Sequence, residues 1–404
     1  KKAVSKPVAV VGAVMDLEEG GRWVAQGKAD IVAMCRALLA DPALPVKTFR
    51  GRQDDIMPCI RCNTCLARGV HLTPVRCTVN PKSVREDYYR CLAPAAATAR
   101  KVVVVGGGPA GMVAAVTAAE RGHQVTLLER ADRLGGNLLV SAGPPFKADF
   151  RRYLAYLLRR VDLQVRRGAL QVSLLSEASP DRVTAEAPDA IVVAAGAEPM
   201  WADLPASLVA GASGRGRDNV FWAADVLRGG NILCGGEVVP AGDTLRGSQV
   251  LCAGEVLEGV QVPAEHVVVA GAGGMGQEAA LALAMQGKKV AVVDLPGGSD
   301  WDMTVNFLDI MALEDQLAAH GVSTYPGVVS REVSGGVVAC DGPAGAPTTL
   351  PADAVIVAPR LRARREVFDR LCDLAEDVYV VGDAKAPRIL YNAVHDGFEA
   401  AIEI

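Results

Sequence analysis

The residues best suited to chemistry crowd into one short stretch. The chain has 404 residues and ten cysteines, and four of these fall within nineteen positions. They read Cys59-Ile-Arg-Cys62-Asn-Thr-Cys65, then eleven residues, then Cys77-Thr-Val-Asn80-Pro81. Three cysteines at three-residue steps bend into a tight loop whose sulfurs converge, and a fourth from a return segment completes a cage. Four thiolates are the ligand set of a cubane 4Fe–4S cluster. Structural zinc sites usually join two separated Cys-x-x-Cys pairs, whereas this run is three plus one. A 4Fe–4S cluster on Cys59, Cys62, Cys65 and Cys77 is therefore expected, with zinc and a metal-free or disulfide-bonded run as the alternatives. Such clustering in a long chain points to a reducing compartment. Cys91, Cys234, Cys252, Cys340 and Cys372 read as structural thiols, and His71 as a solvent-facing neighbour of the run.

Two glycine-rich turns form the second chemical signal. Lys101–Val105 reads as a buried strand, Gly106-Gly-Gly-Pro-Ala-Gly111 as a turn, Met112–Arg121 as a helix and Gln124–Leu128 as a strand ending at Glu129. Gly106, Gly108 and Gly111 take the three positions of the dinucleotide fingerprint: a tight turn, backbone approach to a pyrophosphate, and close helix–strand packing. The helix N-terminus then offers free N–H groups to the phosphates, and Glu129 can hold a ribose hydroxyl. The pattern recurs in strand His266–Ala270, turn Gly271-Ala-Gly273-Gly-Met-Gly276, helix Gln277–Gln286 and strand Lys289–Val293, followed by Asp294. An acid there bonds an adenosine 2′-hydroxyl and repels a 2′-phosphate, so NADH is expected over NADPH; Lys288 and Arg331 weigh the other way.

The background suits parallel α/β layers. Half the residues are hydrophobic, only 4% are aromatic, and glycine reaches 42. That mix gives Val-rich buried strands and small residues where helices meet sheet, and the length allows two to four domains. A net charge of −4 offers no basic field for nucleic acid or an anionic membrane. With no secretory signal, a cytoplasmic location is expected. The pairs Arg151-Arg152, Arg159-Arg160 and Arg166-Arg167 read as a solvated helix face, and the Gly-punctuated stretch 231–262 as hairpins between domains. Near the start, strand Pro7–Gly12, helix Asp16–Gln26 and strand Ala29–Ala33, followed by Met34-Cys35-Arg36, make two consecutive β–α units.

Ala190–Gly196 and Val378–Asp383 look like the strand ends that close an FAD site in flavoproteins with two dinucleotide-binding domains. That likeness implies FAD contacts at Gly106, Gly108, Ala110, Gly111, Glu129, Gly136, Ala195, Gly196, Gly382 and Asp383, with NAD contacts at Gly271, Gly273, Gly276 and Asp294. Together with Gly12, the run Ala29-Asp-Ile-Val-Ala-Met-Cys-Arg-Ala-Leu-Leu-Ala-Asp-Pro42 and the cysteines, the chain from about Lys6 onward, apart from 231–262, resembles one family. It is the iron–sulfur flavoenzyme branch of the old yellow enzyme family, which includes 2,4-dienoyl-CoA reductase, enoate reductases and trimethylamine dehydrogenase.

The resemblance implies the last two β–α units of a (β/α)8 barrel (1–52), an iron–sulfur segment (53–92), and an FAD-binding Rossmann-like domain in two parts (93–230 and 351–404). An NAD(P)-binding Rossmann-like domain with a hairpin insert (231–350) lies between those parts. In that family the barrel carries FMN, and loops after its seventh and eighth strands hold the phosphate; here these are Gly12-Ala13 and Cys35-Arg36, with Cys35 where the family has glycine. The first six barrel units are not in this sequence, which implies a second polypeptide, a homo-oligomer, or a chain that is cleaved or longer than the sequence given. The implied activity passes electrons from NADH to FAD, the cluster, FMN and an activated C=C bond of an unsaturated carbonyl or acyl-CoA. Two alternatives stay open: an electron-transfer subunit alone, and an amine-dehydrogenase-type enzyme with reversed flow.

Overall fold

The structure, a computed structural model, describes residues 1–92, 95–200, 220–221, 232–234, 237–239, 249–252, 262, 264–295, 307–334, 337–342 and 345–404. The chain divides into two compact units. One comprises Lys1–Gly136, Asp149–Ala195 and Arg365–Ile404; the other comprises Asn137–Ala148 and Gly196–Arg364.

The first unit begins with two short parallel strands, β1 (Ala9–Val11) and β2 (Ile31–Ala33), joined through helix α1 (Leu17–Ala25). The carboxylate of Asp16 caps α1 by accepting from the Glu19 N–H at 2.7 Å, which is why the helix starts one residue after the acid. Helices α2 (Arg36–Ala40), α3 (Leu44–Phe49), α4 (Thr64–Val70) and α5 (Glu86–Leu92) carry the chain past the cysteines.

A five-stranded parallel sheet follows, built from β3 (Lys101–Val105), β4 (Gln124–Leu128), β5 (Leu170–Ser173), β6 (Ala190–Val193) and a last strand Asp377–Val380. Its order is Asp377–Val380, β6, β3, β4, β5, so the chain's last strand returns beside β6. All of β6 and four of the five residues of β3 are buried, as continuous valine runs require when helices cover both faces of a sheet. Helix α6 (Pro109–Glu120) starts three residues earlier than its pattern implied, because Pro109 occupies its first turn behind the N-cap Gly108.

Between β4 and β5 runs α7 (Asn137–Ala142), part of the second unit, and then α8 (Ala148–Arg166), whose 19 residues bury Tyr153, Tyr156, Leu157 and Val161. The arginine pairs expected on its solvated face do more than face solvent. Arg152 reaches Asp16 at 3.8 Å, Arg159 reaches Asp54 at 3.8 Å, and Arg160 pairs with Glu120. Periodicity places charges on a helix face but carries no sign of the acids that other segments bring to it.

The second unit is an eight-stranded sheet. Six parallel strands, among them His266–Ala270, Lys289–Asp294 and Ala354–Val357, end at Ser323–Ser334, which continues into an antiparallel meander through Val337–Asp341 and Pro347–Pro351. Within 231–262, Ile232–Cys234 and Glu237–Val239 form the expected antiparallel hairpin. Gln249–Cys252 does not: it runs parallel to Ala354–Val357 inside the main sheet. Glycine punctuation marks strand ends without revealing the pairing partner.

Candidate cofactor sites

The four cysteines meet. Cys59, Cys62, Cys65 and Cys77 line one pocket of about 290 Å³, counting its solvent-open mouth. Local backbone makes this possible: Arg61 and Asn63 both adopt left-handed conformations (φ 53° and 52°), which turn the chain sharply between the first three sulfurs. Cys65 then sits in the first turn of α4, and the return segment delivers a buried Cys77. Two threonines unmarked by the sequence reading complete the lining of Cys62. The Thr64 hydroxyl donates to its Sγ at 3.4 Å, and the Thr78 hydroxyl lies 3.1 Å from the same sulfur.

Several anchors hold this loop. Asp41 is buried and accepts from Lys47 Nζ at 2.5 Å, Met57 N–H at 2.9 Å and Ala43 N–H at 3.0 Å. Arg61 Nε donates to Asp149 of α8 at 2.5 Å. Asn80 Nδ2 donates to the Leu39 carbonyl at 3.1 Å, and the buried His395 bonds the Cys77 carbonyl at 2.9 Å. His71 caps the C-terminus of α4 and is exposed, in line with its expected solvent-facing place.

Burial raises the Cys59 and Cys65 thiols above their ordinary value and pushes Cys77 up to about 12. Buried thiols of this kind keep their protons unless a cationic centre draws them off. Among the described residues no group of three or more His, Cys, Asp or Glu side chains is gathered tightly enough for a single ion. The four cysteines share the wall of this one pocket and none of them is in a disulfide.

The expected phosphate residues divide. Gly12 and Ala13 follow β1 with positive φ values of 108° and 53° and are exposed, as is Cys35 before α2. Arg36 lines the cysteine pocket and donates from Nη1 to Asn63 Oδ1 at 2.5 Å.

In the first unit's glycine turn, Gly106 has φ 104° and an added Cβ would lie 2.3 Å from the Ala194 carbonyl oxygen; one on Gly111 would lie 1.9 Å from the Gly106 oxygen. Only glycine fits either place. Gly108 has nothing closer than the Gly136 Cα at 4.0 Å, so space remains above it. Glu129 is buried, and its carboxylate accepts from Gly107 N–H at 2.6 Å and Ala131 N–H at 2.7 Å. A carboxylate has lone pairs for more than these two donors. Ala195 and Gly196 follow β6 and are half-buried. Opposite α6, Gly382 lies against Ala110, and Gly397, which the sequence reading passed over, lies against the Ala110 backbone. Asp383 Oδ1 accepts from the Arg388 N–H at 3.2 Å, while Arg388 pairs with Asp396, which also accepts from Gly382 N–H at 3.1 Å.

The second unit repeats the turn with one difference. Added Cβ atoms at Gly271 and Gly276 would lie 2.3 Å from Ala358 O and 1.8 Å from Gly271 O, and Gly273 is the N-cap of helix Gly274–Met285. At the end of the next strand Asp294 Oδ2 accepts from Gly327 N–H at 3.3 Å, but the buried Oδ1 has no hydrogen-bond partner among the described residues. A buried acceptor left open in this way suits a ligand hydroxyl.

The chain is similar to several known oxidoreductases. A curated relative named NADH oxidase, from Thermoanaerobacter brockii, is 35% identical over the whole chain and 56% of its own length. The cinnamate reductase of Clostridium sporogenes is 27% identical over the whole chain and 54% of its length. A solved 2-naphthoyl-CoA reductase superposes with a TM-score of 0.79 at 29% identity, covering all of this chain and 55% of that one. The chain thus spans about half the length of the relatives it matches, and these relatives bear out the resemblance read from the cysteine run and the two turns. No helix among the described residues is long and apolar enough to cross a membrane. The family model for pyridine nucleotide-disulphide oxidoreductases matches residues 100–397, and the chain belongs to that family.

Proposed function

We propose that this chain is the electron-input portion of an NADH-dependent flavin and iron–sulfur oxidoreductase of the ene-reductase type, acting on an activated C=C bond in a small unsaturated carbonyl or acyl-CoA. The observation that carries this reading is the convergence of four cysteines on one pocket in the same compact unit as a glycine cradle.

Cys59, Cys62, Cys65 and Cys77 would hold a 4Fe–4S cluster. Gly106, Gly108, Ala110, Gly111, Glu129, Gly136, Ala195, Gly196, Gly382 and Asp383 would hold FAD, and Gly271, Gly273, Gly276 and Asp294 would hold NADH. Gly12, Ala13, Cys35 and Arg36 would meet an FMN phosphate. When bound, these groups supply hydride acceptance and one-electron transfer, which the side chains of a protein cannot perform.

The chain's own residues do the rest. Bare glycine backbone admits a pyrophosphate to the start of α6, where unpaired N–H groups and the helix dipole receive negative charge. Glu129 fixes that turn through Gly107 and keeps lone pairs for a ribose hydroxyl. The open oxygen of Asp294 accepts from an adenosine 2′-hydroxyl and repels a 2′-phosphate. Thr64 and Thr78 offer polar contacts to Cys62, and Asp41, Asp149 and His395 fix the loop so that the four sulfurs keep one spacing.

The division into barrel-end, iron–sulfur, FAD and NAD(P) segments at 1–52, 53–92, 93–230 with 351–404, and 231–350 belongs to the same reading. So does a partner for β1 and β2, supplied by a second polypeptide, another copy or further sequence. Val11 and Ile31 on those strands are 72% and 55% exposed, an apolar edge that further β–α units would cover.

The test is anaerobic. NADH added to the purified chain, analysed for flavin and iron, is expected to bleach the flavin absorbance and then develop the electron paramagnetic signal of a reduced cluster. Cys62→Ser is expected to lose iron and that signal while keeping flavin bleaching. Undiminished signal in the variant, or a wild-type chain that takes up neither flavin nor iron, overturns the proposal.

A further inference from the structure

The wall of the cysteine pocket carries a charge that sequence reasoning had placed elsewhere. Ten of the described residues line it, and Arg36 is the one charged side chain among those ten. Among the described residues no carboxylate shares the wall. Arg36 is half-buried, and its Nη1 donates to Asn63 Oδ1 at 2.5 Å. Asn63 lies between Cys62 and Cys65 with φ 52°, a left-handed conformation that asparagine tolerates better than most residues. The arginine is thus tied to the backbone turn that gathers the sulfurs.

We infer that Arg36 sets the reduction potential of the iron–sulfur centre held by Cys59, Cys62, Cys65 and Cys77, with Asn63 as the residue that positions its guanidinium. The inference rests on the cluster assignment proposed above and adds a role for this residue beyond phosphate binding. Accepting one electron adds a negative charge to a centre already surrounded by thiolates, and no bond forms or breaks. A fixed cation beside the pocket stabilises the more negative state more than the less negative one. The net charge around a cluster is one of the levers that set its potential.

The experiment is a potentiometric titration of the reconstituted 404-residue chain, followed by electron paramagnetic resonance, with iron counted in each sample. Arg36→Met is expected to shift the cluster to a more negative potential, by at least a tenfold loss in the one-electron reduction constant, about 59 mV. Arg36→Lys keeps the charge without the bond to Asn63 and is expected to shift it less. Asn63→Gly keeps the left-handed turn, frees the guanidinium and is expected to fall between wild type and Arg36→Met. A merely structural arginine would cost iron without moving the potential of the clusters that remain. Unchanged potentials in iron-replete variants overturn this inference alone, as does loss of iron in all three variants. A wild-type chain that binds no four-iron centre overturns the cluster assignment and this inference with it.

Discussion

The Nε2 of His395, on helix Leu390–Glu403, lies 2.9 Å from the carbonyl oxygen of Cys77. A carbonyl only accepts, so this nitrogen carries the hydrogen and the neutral ring holds the fourth cysteine's peptide. Tyr391 stacks on the same ring with centroids 3.9 Å apart. The helix that supplies His395 also carries Gly397, packed against the Ala110 backbone in the glycine turn. One element therefore braces both the cysteine loop and the dinucleotide cradle of the first unit.

Burial is the main cause that lowers the His395 pKa from 6.5 to about 4. Between those values the unfolded chain binds a proton that the folded chain refuses, so stability is full above pH 6.5 and falls as pH drops toward 4. The loss amounts to about 3 kcal/mol at the lower end. His395→Gln can still donate to Cys77 but does not titrate. Urea unfolding at pH 7 and pH 4.5 is expected to show a smaller difference for the variant, and equal differences would remove His395 as the cause.

Asp149 and Arg61 bind α8 to the loop between Cys59 and Cys62. Asp149→Asn is expected to cost about 1–3 kcal/mol, since a charge-assisted bond to a mostly buried carboxylate is lost. Iron should also leave faster to a chelator, because the loop that spaces two sulfurs loses its anchor. A chelation rate equal to wild type would show that α8 does not brace the site.

The open oxygen of Asp294 predicts cofactor choice. Asp294→Ser removes the charge that opposes a 2′-phosphate and shortens the reach to a 2′-hydroxyl. The ratio of kcat/KM for NADH over NADPH, measured with an artificial electron acceptor, is expected to fall at least tenfold, about 1.4 kcal/mol. An unchanged ratio would move the choice of nucleotide to other residues.

Gly111→Ala tests the first turn without touching a charge. Its Cβ would stand 1.9 Å from the Gly106 oxygen, a backbone clash that no rotamer relieves. A loss of about 3 kcal/mol or more and a low flavin-to-protein ratio are expected in a thermal melt and an absorbance spectrum. Full flavin occupancy in a stable variant would mean that α6 meets the sheet less closely than this turn requires.

Much of this was legible in the chain itself. Lys101–Val105, Gln124–Leu128 and His266–Ala270 begin and end where their valine runs and flanking glycines place them, because continuous apolar runs of that length suit strands buried on both faces. Gly106, Gly111, Gly271 and Gly276 could be named because the lack of a side chain is a local property, and local properties survive in sequence. The four cysteines could be singled out as a group for the same reason: residue type and spacing are local.

What tertiary structure alone decided was partnership over long separations. Sequence spacing cannot show that His395 reaches Cys77, that Asp149 holds Arg61, or that Gln249–Cys252 joins a sheet rather than a hairpin. Nor can it show that Arg36, placed by motif beside a phosphate, also faces four sulfurs. Each of these depends on where the chain returns after tens or hundreds of residues, which the packing of whole layers determines. Residue type and short spacing fixed the chemical repertoire of this protein, and the folding of distant segments onto one another determined which members of that repertoire meet.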